Sequence, residues 1–158
     1  MTMSDFPPSL VLIIGAFLLP MIGQKLRPML TLGLPLITLY LVWSLPNGSF
    51  SIFPLFDYKL TFVHSDSLSR LFATVFSIMT FGGSLFALKQ KRVLELVAVF
   101  VYAGSAIGVV FAGDLISLFI YWEIMAVAST LVVLSVGGKL SYQISMRYFL
   151  VHVLGGTL

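Results

Sequence analysis

The sequence contains no cysteine, and only 9% of its 158 residues are Asp, Glu, Lys or Arg. The first absence excludes disulfides and thiolate metal sites. The second excludes an ordinary soluble domain, in which about 25% of residues are charged. Several motifs are also missing: no P-loop, no dinucleotide-binding glycine pattern, no HExxH and no Cys/His cluster. No cofactor or metal site is therefore expected. Gly82-Gly83-Ser84 fails as a nucleophile elbow, because Phe86 stands where the closing glycine belongs. What remains is apolar. Hydrophobic residues make up 59% of the chain, and the mean hydropathy is +1.07. That is the composition of an all-α integral membrane protein. The net charge of +3 does not point to nucleic acid, because the basic residues sit in short loops between apolar runs. The opening MTMSD lacks a basic n-region, so the first apolar run reads as a retained helix.

A spanning helix needs about 20 mostly apolar residues. Six runs qualify or nearly do: Pro8 to Gly23, Pro28 to Leu45, Asp66 or Ser67 to Leu88, Val93 to Ala112, Leu115 to Val136, and Ser141 onward. Six transmembrane helices are therefore expected. Residues 1–66 form one unit, two helices plus an external connection, and 67–158 form a second with helices three to six. Pro46-Asn47-Gly48 is a turn signal. The stretch DYKLTFVH alternates and is rich in aromatic and β-branched residues, so it predicts a short strand or hairpin outside the bilayer. The last run is still apolar at Leu158, about 17 residues on and slightly short of a span. It reads as the point where a longer chain is cut, the competing reading being a short final helix.

Loop charge gives an orientation. Lys25, Arg27, Lys89, Lys91, Arg92 and Lys139 all fall on one side of a six-span arrangement. Asp5, Asp57, Asp66 and Asp114 fall on the other, with Lys59 and Arg70. Basic loops stay cytoplasmic, so the N-terminus is expected outside the cytoplasmic (inner) membrane.

Glu123 stands in LFIYWEIMAVAS, eight residues into the fifth run. At 1.5 Å per residue it is about 12 Å deep. An ionisable residue at such depth costs about 2.5–3.5 kcal/mol to insert. It therefore faces protein or water, and it is read as a proton-relay group. The competing reading is a structural carboxyl bonded to a Ser or Tyr of a neighbouring helix. His152 lies deep in the sixth run, with Tyr148 four residues earlier on its face. Imidazole can pass a proton through either nitrogen, so His152 is the second relay candidate, with helix packing as the competing role. Asp114 reads first as an N-cap. Arg70 reads as a surface-pairing residue, and Arg147 as one that snorkels. Asp114, Arg70 and Tyr148 are possible supporting residues for the relay. Gly104 and Gly108 form a GxxxG pair, read as internal packing rather than dimerisation.

GDLISLFIYWEIMAVASTLVVLS followed by SMRYFLVHVLGGTL resembles the antiporter-like subunits shared by Mrp-type Na+/H+ antiporters, respiratory complex I and membrane-bound hydrogenases. Trp122-Glu123, the aromatic pair Tyr148-Phe149, the glycine pair Gly155-Gly156 and the Asp66-Ser67-Leu68-Ser69 start carry the likeness, with a lean toward the Mrp D-type branch. The resemblance implies a fold of about 14 helices with two inverted five-helix repeats, of which this chain is the N-terminal part. It implies that Glu123 pairs with a lysine on a seventh helix, which lies beyond the present sequence. It implies a proton-translocating subunit coupling H+ movement to Na+ exchange or electron transfer. Such a subunit has other membrane subunits as partners and no catalytic site of its own, though its complex can be of NADH:quinone oxidoreductase or hydrogenase type. The alternatives are a non-transporting scaffold or assembly subunit, or a truncated remnant.

Overall fold

The computed structural model describes residues 6–55, 58–89 and 92–157. Prolines shape its first two helices. Helix α1 (Pro8–Leu18) has a proline in its first turn, where the missing N–H removes nothing from the ladder. It closes just ahead of Pro20, which has no N–H to continue it, so it falls short of the expected run to Gly23. Helix α2 (Arg27–Ser44) also opens on a proline and carries Pro35 inside.

A two-stranded antiparallel hairpin follows, β1 (Gly48–Leu55) and β2 (Tyr58–Ser65). Phe50 pairs with Val63 and Ile52 with Thr61. The expected strand over DYKLTFVH is the second arm. Asp57 lies outside the described residues, as do Asp5 and Lys91 of the loop-charge argument and Leu158 of the last run. Asp66 caps α3 (Ser67–Ala87): its carboxylate accepts the Ser69 N–H at 2.6 Å, and the Ser69 hydroxyl accepts the Asp66 N–H at 2.9 Å. Two amides that the helix leaves unpaired are thus satisfied reciprocally. Then come α4 (Val93–Phe111), α5 (Leu115–Ser135) and α6 (Lys139–Thr157).

Six helices are present among the described residues, but only α3, α4 and α5 are long and apolar enough to cross a membrane by length and composition. The expectation of six spans is met to that extent. Helix α1 is apolar, yet its 11 residues rise only about 16 Å. Helices α2 and α6 have 18 and 19 residues, similar to α4 with 19. They are diluted by Arg27, Pro28 and Pro35 in one, and by Lys139, Gln143, Arg147 and His152 in the other.

Helix α4 is the hub, packed between α1, α3 and α5. Its two glycines allow this. A Cβ at Gly104 would stand 2.9 Å from the Ser9 carbonyl and 2.8 Å from Ile13 of α1. A Cβ at Gly108 would overlap the ring of Tyr121 of α5. The GxxxG pair therefore packs inside the chain, as expected. Several hydroxyls within the helices are satisfied locally: those of Thr38, Ser77, Ser84 and Ser105 donate to carbonyls one turn earlier at 2.7–2.9 Å. In a membrane this leaves few hydroxyls facing hydrocarbon unpaired.

Gly108→Val should cost about 1–3 kcal/mol by forcing Tyr121 aside. The melting midpoint of the detergent-purified protein should fall, while Gly82→Ala, which meets nothing within 4 Å, should leave it in place. An unchanged midpoint for Gly108→Val contradicts this packing.

Candidate functional site

The residues of interest sit on α5 and α6, and α5 is fixed from several sides. At its N-terminus Asp114 is the N-cap: one carboxylate oxygen accepts the Ser117 N–H at 2.8 Å, and the other accepts the Ser117 hydroxyl at 2.8 Å. That second oxygen also accepts the Thr61 N–H of β2 at 2.5 Å, and Gly113 donates its N–H to the Thr61 carbonyl at 2.9 Å. The cap thus ties the hairpin to the start of α5. Burial works against the Asp114 charge, but the hydrogen bonds from Ser117 and Thr61 outweigh it and hold the carboxyl below its ordinary value of 3.8.

Farther along, the Tyr121 hydroxyl shares a hydrogen bond of 3.1 Å with Ser9 of α1, and the Tyr121 ring meets Phe62 of β2 edge-on at 6.1 Å. At the C-terminal end, the Arg92 guanidinium donates to the carbonyls of Ser135 and Val136 at 2.9 and 3.2 Å. These are carbonyls that the helix itself cannot pair, and a cation there also suits the helix dipole.

One face of α5 then meets α6. Tyr148, His152 and Gly156 follow at four-residue intervals on α6 and so share a face. The His152 ring stacks on Trp122 of α5, with centroids 5.5 Å apart and planes 23° apart. Tyr148 flanks it at 5.7 Å, and the Tyr148 hydroxyl accepts the Ser129 hydroxyl of α5 at 3.3 Å. Glu123 reaches into the same seam against the backbone of Gly156, one turn beyond His152. Its Oε1 is buried and has no hydrogen-bond partner among the described residues, and the same holds for Nε2 of His152.

Three of the five residues singled out from sequence, Glu123, His152 and Tyr148, therefore come together at one helix interface. The other two do not join them. Asp114 caps α5, as its sequence context indicated. Arg70 donates to the Leu45 carbonyl at 2.8 Å and to Asn47 Oδ1 at 2.7 Å, so it closes the end of α2. Sequence reasoning passed over Trp122 as a stacking partner, Ser129, Gly156 and the capping role of Arg92. The four-residue spacing of Tyr148, His152 and Gly156 was the available signal. Among the described residues, no three His, Asp or Glu side chains converge in a way that would hold a metal ion.

No protein-family model matches the chain, and no curated protein matches it. Solved structures that resemble it include a chain of the membrane-bound sulfane sulfur reductase (MBS), an archaeal respiratory membrane complex. The TM-score is 0.76 at 18% identity, over 95% of this chain and 34% of that one. The likeness is one of fold, and this chain spans about a third of the length of that neighbour. With its apolar helices and small hairpin, the protein is a mainly helical membrane protein.

Asp114→Ala should destabilise the protein by about 1–2 kcal/mol near neutral pH, since it removes a cap and strands the Thr61 N–H. A carboxyl held low by folding stabilises fully above its ordinary value, and that contribution is lost as pH falls through the depressed one. Melting midpoints of parent and variant should therefore differ at about pH 7 and draw together as the pH falls below the ordinary carboxyl value of 3.8.

Proposed function

We propose that this chain is the N-terminal part of an antiporter-like, proton-translocating subunit of a multi-subunit membrane complex, with Glu123 as a carboxyl that takes up and releases a proton. The observation that carries this reading is the buried Oε1 of Glu123, without a hydrogen bond among the described residues, on an apolar helix. A carboxyl kept only for packing would be bonded to a nearby hydroxyl. The Ser129 and Tyr148 hydroxyls of the same two helices are engaged with each other, and Ser129 also with the Ala126 carbonyl. An intramembrane acid left in this state is a functional site by default.

Chemically, Glu123 responds to whatever cation approaches the seam. A cation drawing near favours the carboxylate, and its withdrawal favours the neutral acid. Motion of charge thereby becomes transfer of a proton. The resemblance of the Trp122-Glu123 region to antiporter-like subunits implies a lysine for this role, from further chain or another subunit. His152 is the second proton-carrying group, held between Trp122 and Tyr148, with the Tyr148 and Ser129 hydroxyls beside it. The likeness to a chain of an archaeal respiratory membrane complex supports a place among other membrane subunits, and the resemblance of the Trp122-Glu123 region implies H+ movement linked to electron transfer or Na+ exchange. Residues 1–66 then form two membrane helices with an external connection, and 67–158 hold helices three to six with the start of the first inverted repeat. The protein lies in the cytoplasmic membrane with its N-terminus outside.

Two experiments test this. Glu123→Gln should lower proton uptake by vesicles carrying the assembled complex by at least about tenfold, with assembly intact. Unchanged uptake with intact assembly, or loss of assembly, points instead to a scaffold. The absence of cysteine makes orientation simple to read. With a membrane-impermeant maleimide on whole cells, Asn47→Cys should be labelled and Gln24→Cys protected. The reverse pattern overturns the orientation.

A further inference from the structure

Gly155 and Gly156 lie side by side within α6, where glycine is a poorer helix former than alanine. Their surroundings differ. A Cβ added at Gly155 meets nothing within 4 Å. A Cβ added at Gly156 would stand 2.8 Å from Oε1 of Glu123, while its next neighbours, Nε1 of Trp122 and Cε2 of Phe119, lie at 3.7 and 3.8 Å. The last two are ordinary contacts. The crowding at Gly156 is directed at the carboxyl group alone.

We infer that Gly156 is a positioning residue for Glu123: by lacking a side chain, it lets the carboxyl group rest against the α6 backbone one turn beyond His152. This rests on the reading of Glu123 as the proton-carrying group. The physical argument turns on what would yield if a methyl group were present. The carboxyl group is the far end of a side chain with several rotatable bonds, whereas moving the α6 backbone would disturb its whole seam with α5, including the Trp122–His152 stack and the Ser129–Tyr148 bond. An alanine would therefore move the carboxyl group by about 0.6 Å to restore ordinary contact, with the helices left in place. Displacements of about 1 Å at a reacting group can cost about a hundredfold in rate.

A glycine that plays no part in seating the carboxyl group makes the opposite forecast. Alanine favours the helix, so Gly156→Ala would then be harmless, like Gly155→Ala.

The test compares proton uptake and complex assembly in membrane vesicles for Gly155→Ala, Gly156→Ala, Glu123→Asp and the double variant Gly156→Ala/Glu123→Asp. Gly155→Ala should keep uptake within about twofold of the parent, and Gly156→Ala should lower it at least about tenfold with assembly intact. Aspartate is one methylene shorter and withdraws from the added methyl. In the Glu123→Asp background, the alanine should therefore cost less than about threefold. If Gly156→Ala fails to assemble, repair by Glu123→Asp supports the contact, and no repair overturns it. Equal effects of the two alanines, or an undiminished cost in the aspartate background, also overturn it. These outcomes differ from failure of the underlying reading, in which Glu123→Gln itself leaves uptake unchanged.

Discussion

Placing Glu123 about 12 Å deep in an apolar helix costs about 2.5–3.5 kcal/mol, and most of the surrounding architecture bears on how that carboxyl is housed. Hydrocarbon offers no hydrogen bonds, so the group must turn toward protein. Helix α6 supplies the facing surface. Its Tyr148, His152 and Gly156 line one face, and the smallest of them stands against the carboxyl group. The aromatic stack of Trp122 on His152 fixes the relative rotation of the two helices, because such pairs favour particular ring arrangements. The seam then contains an acid, an imidazole and a phenol among apolar side chains, with two buried polar atoms, Glu123 Oε1 and His152 Nε2, that find no partner among the described residues. That is a poor design for packing alone, and it suits the proton-carrying role proposed for Glu123.

Such a site needs a rigid carrier, and α5 is held at both ends and in the middle. Asp114 binds its first turn to the hairpin, Ser9 and Phe62 grip Tyr121, and Arg92 closes its last carbonyls. The hub helix α4 makes this possible through Gly108, which lets Tyr121 lie against the α4 backbone. The hairpin is thus more than a connector between α2 and α3, because its second strand anchors the helix that carries Glu123. A shift of the hairpin would be transmitted to the start of α5 through Thr61.

Much of this was legible in the sequence where the signal was local. Asp66 and Asp114 stood where N-caps belong, the spacing of Gly104 and Gly108 announced close helix packing, and a polar break after Pro46 announced the hairpin region. Glu123, His152 and Tyr148 stood out because ionisable and phenolic groups are conspicuous in an apolar run. The contacts that define the site were not legible, for a physical reason. Helices α5 and α6 combine apolar residues on nearly every face, so periodicity does not say which side of one meets which side of the other. Tyr121 and Ser9 are 112 residues apart, and Arg92 reaches carbonyls 43 and 44 residues away. Helix α1 ends short of its apolar run because Pro20 cannot continue it, whereas α2 runs on through Pro35.

A proton-carrying Glu123 changes its protonation state during turnover. The most direct measurement is difference infrared spectroscopy on the assembled complex, comparing resting and energised states in the carboxylic C=O stretching region. A carboxyl that takes up and releases a proton should give a band that changes between the two states, shifts in heavy water and vanishes in Glu123→Gln. A spectrum in that region that is identical in the parent and Glu123→Gln complexes would contradict it.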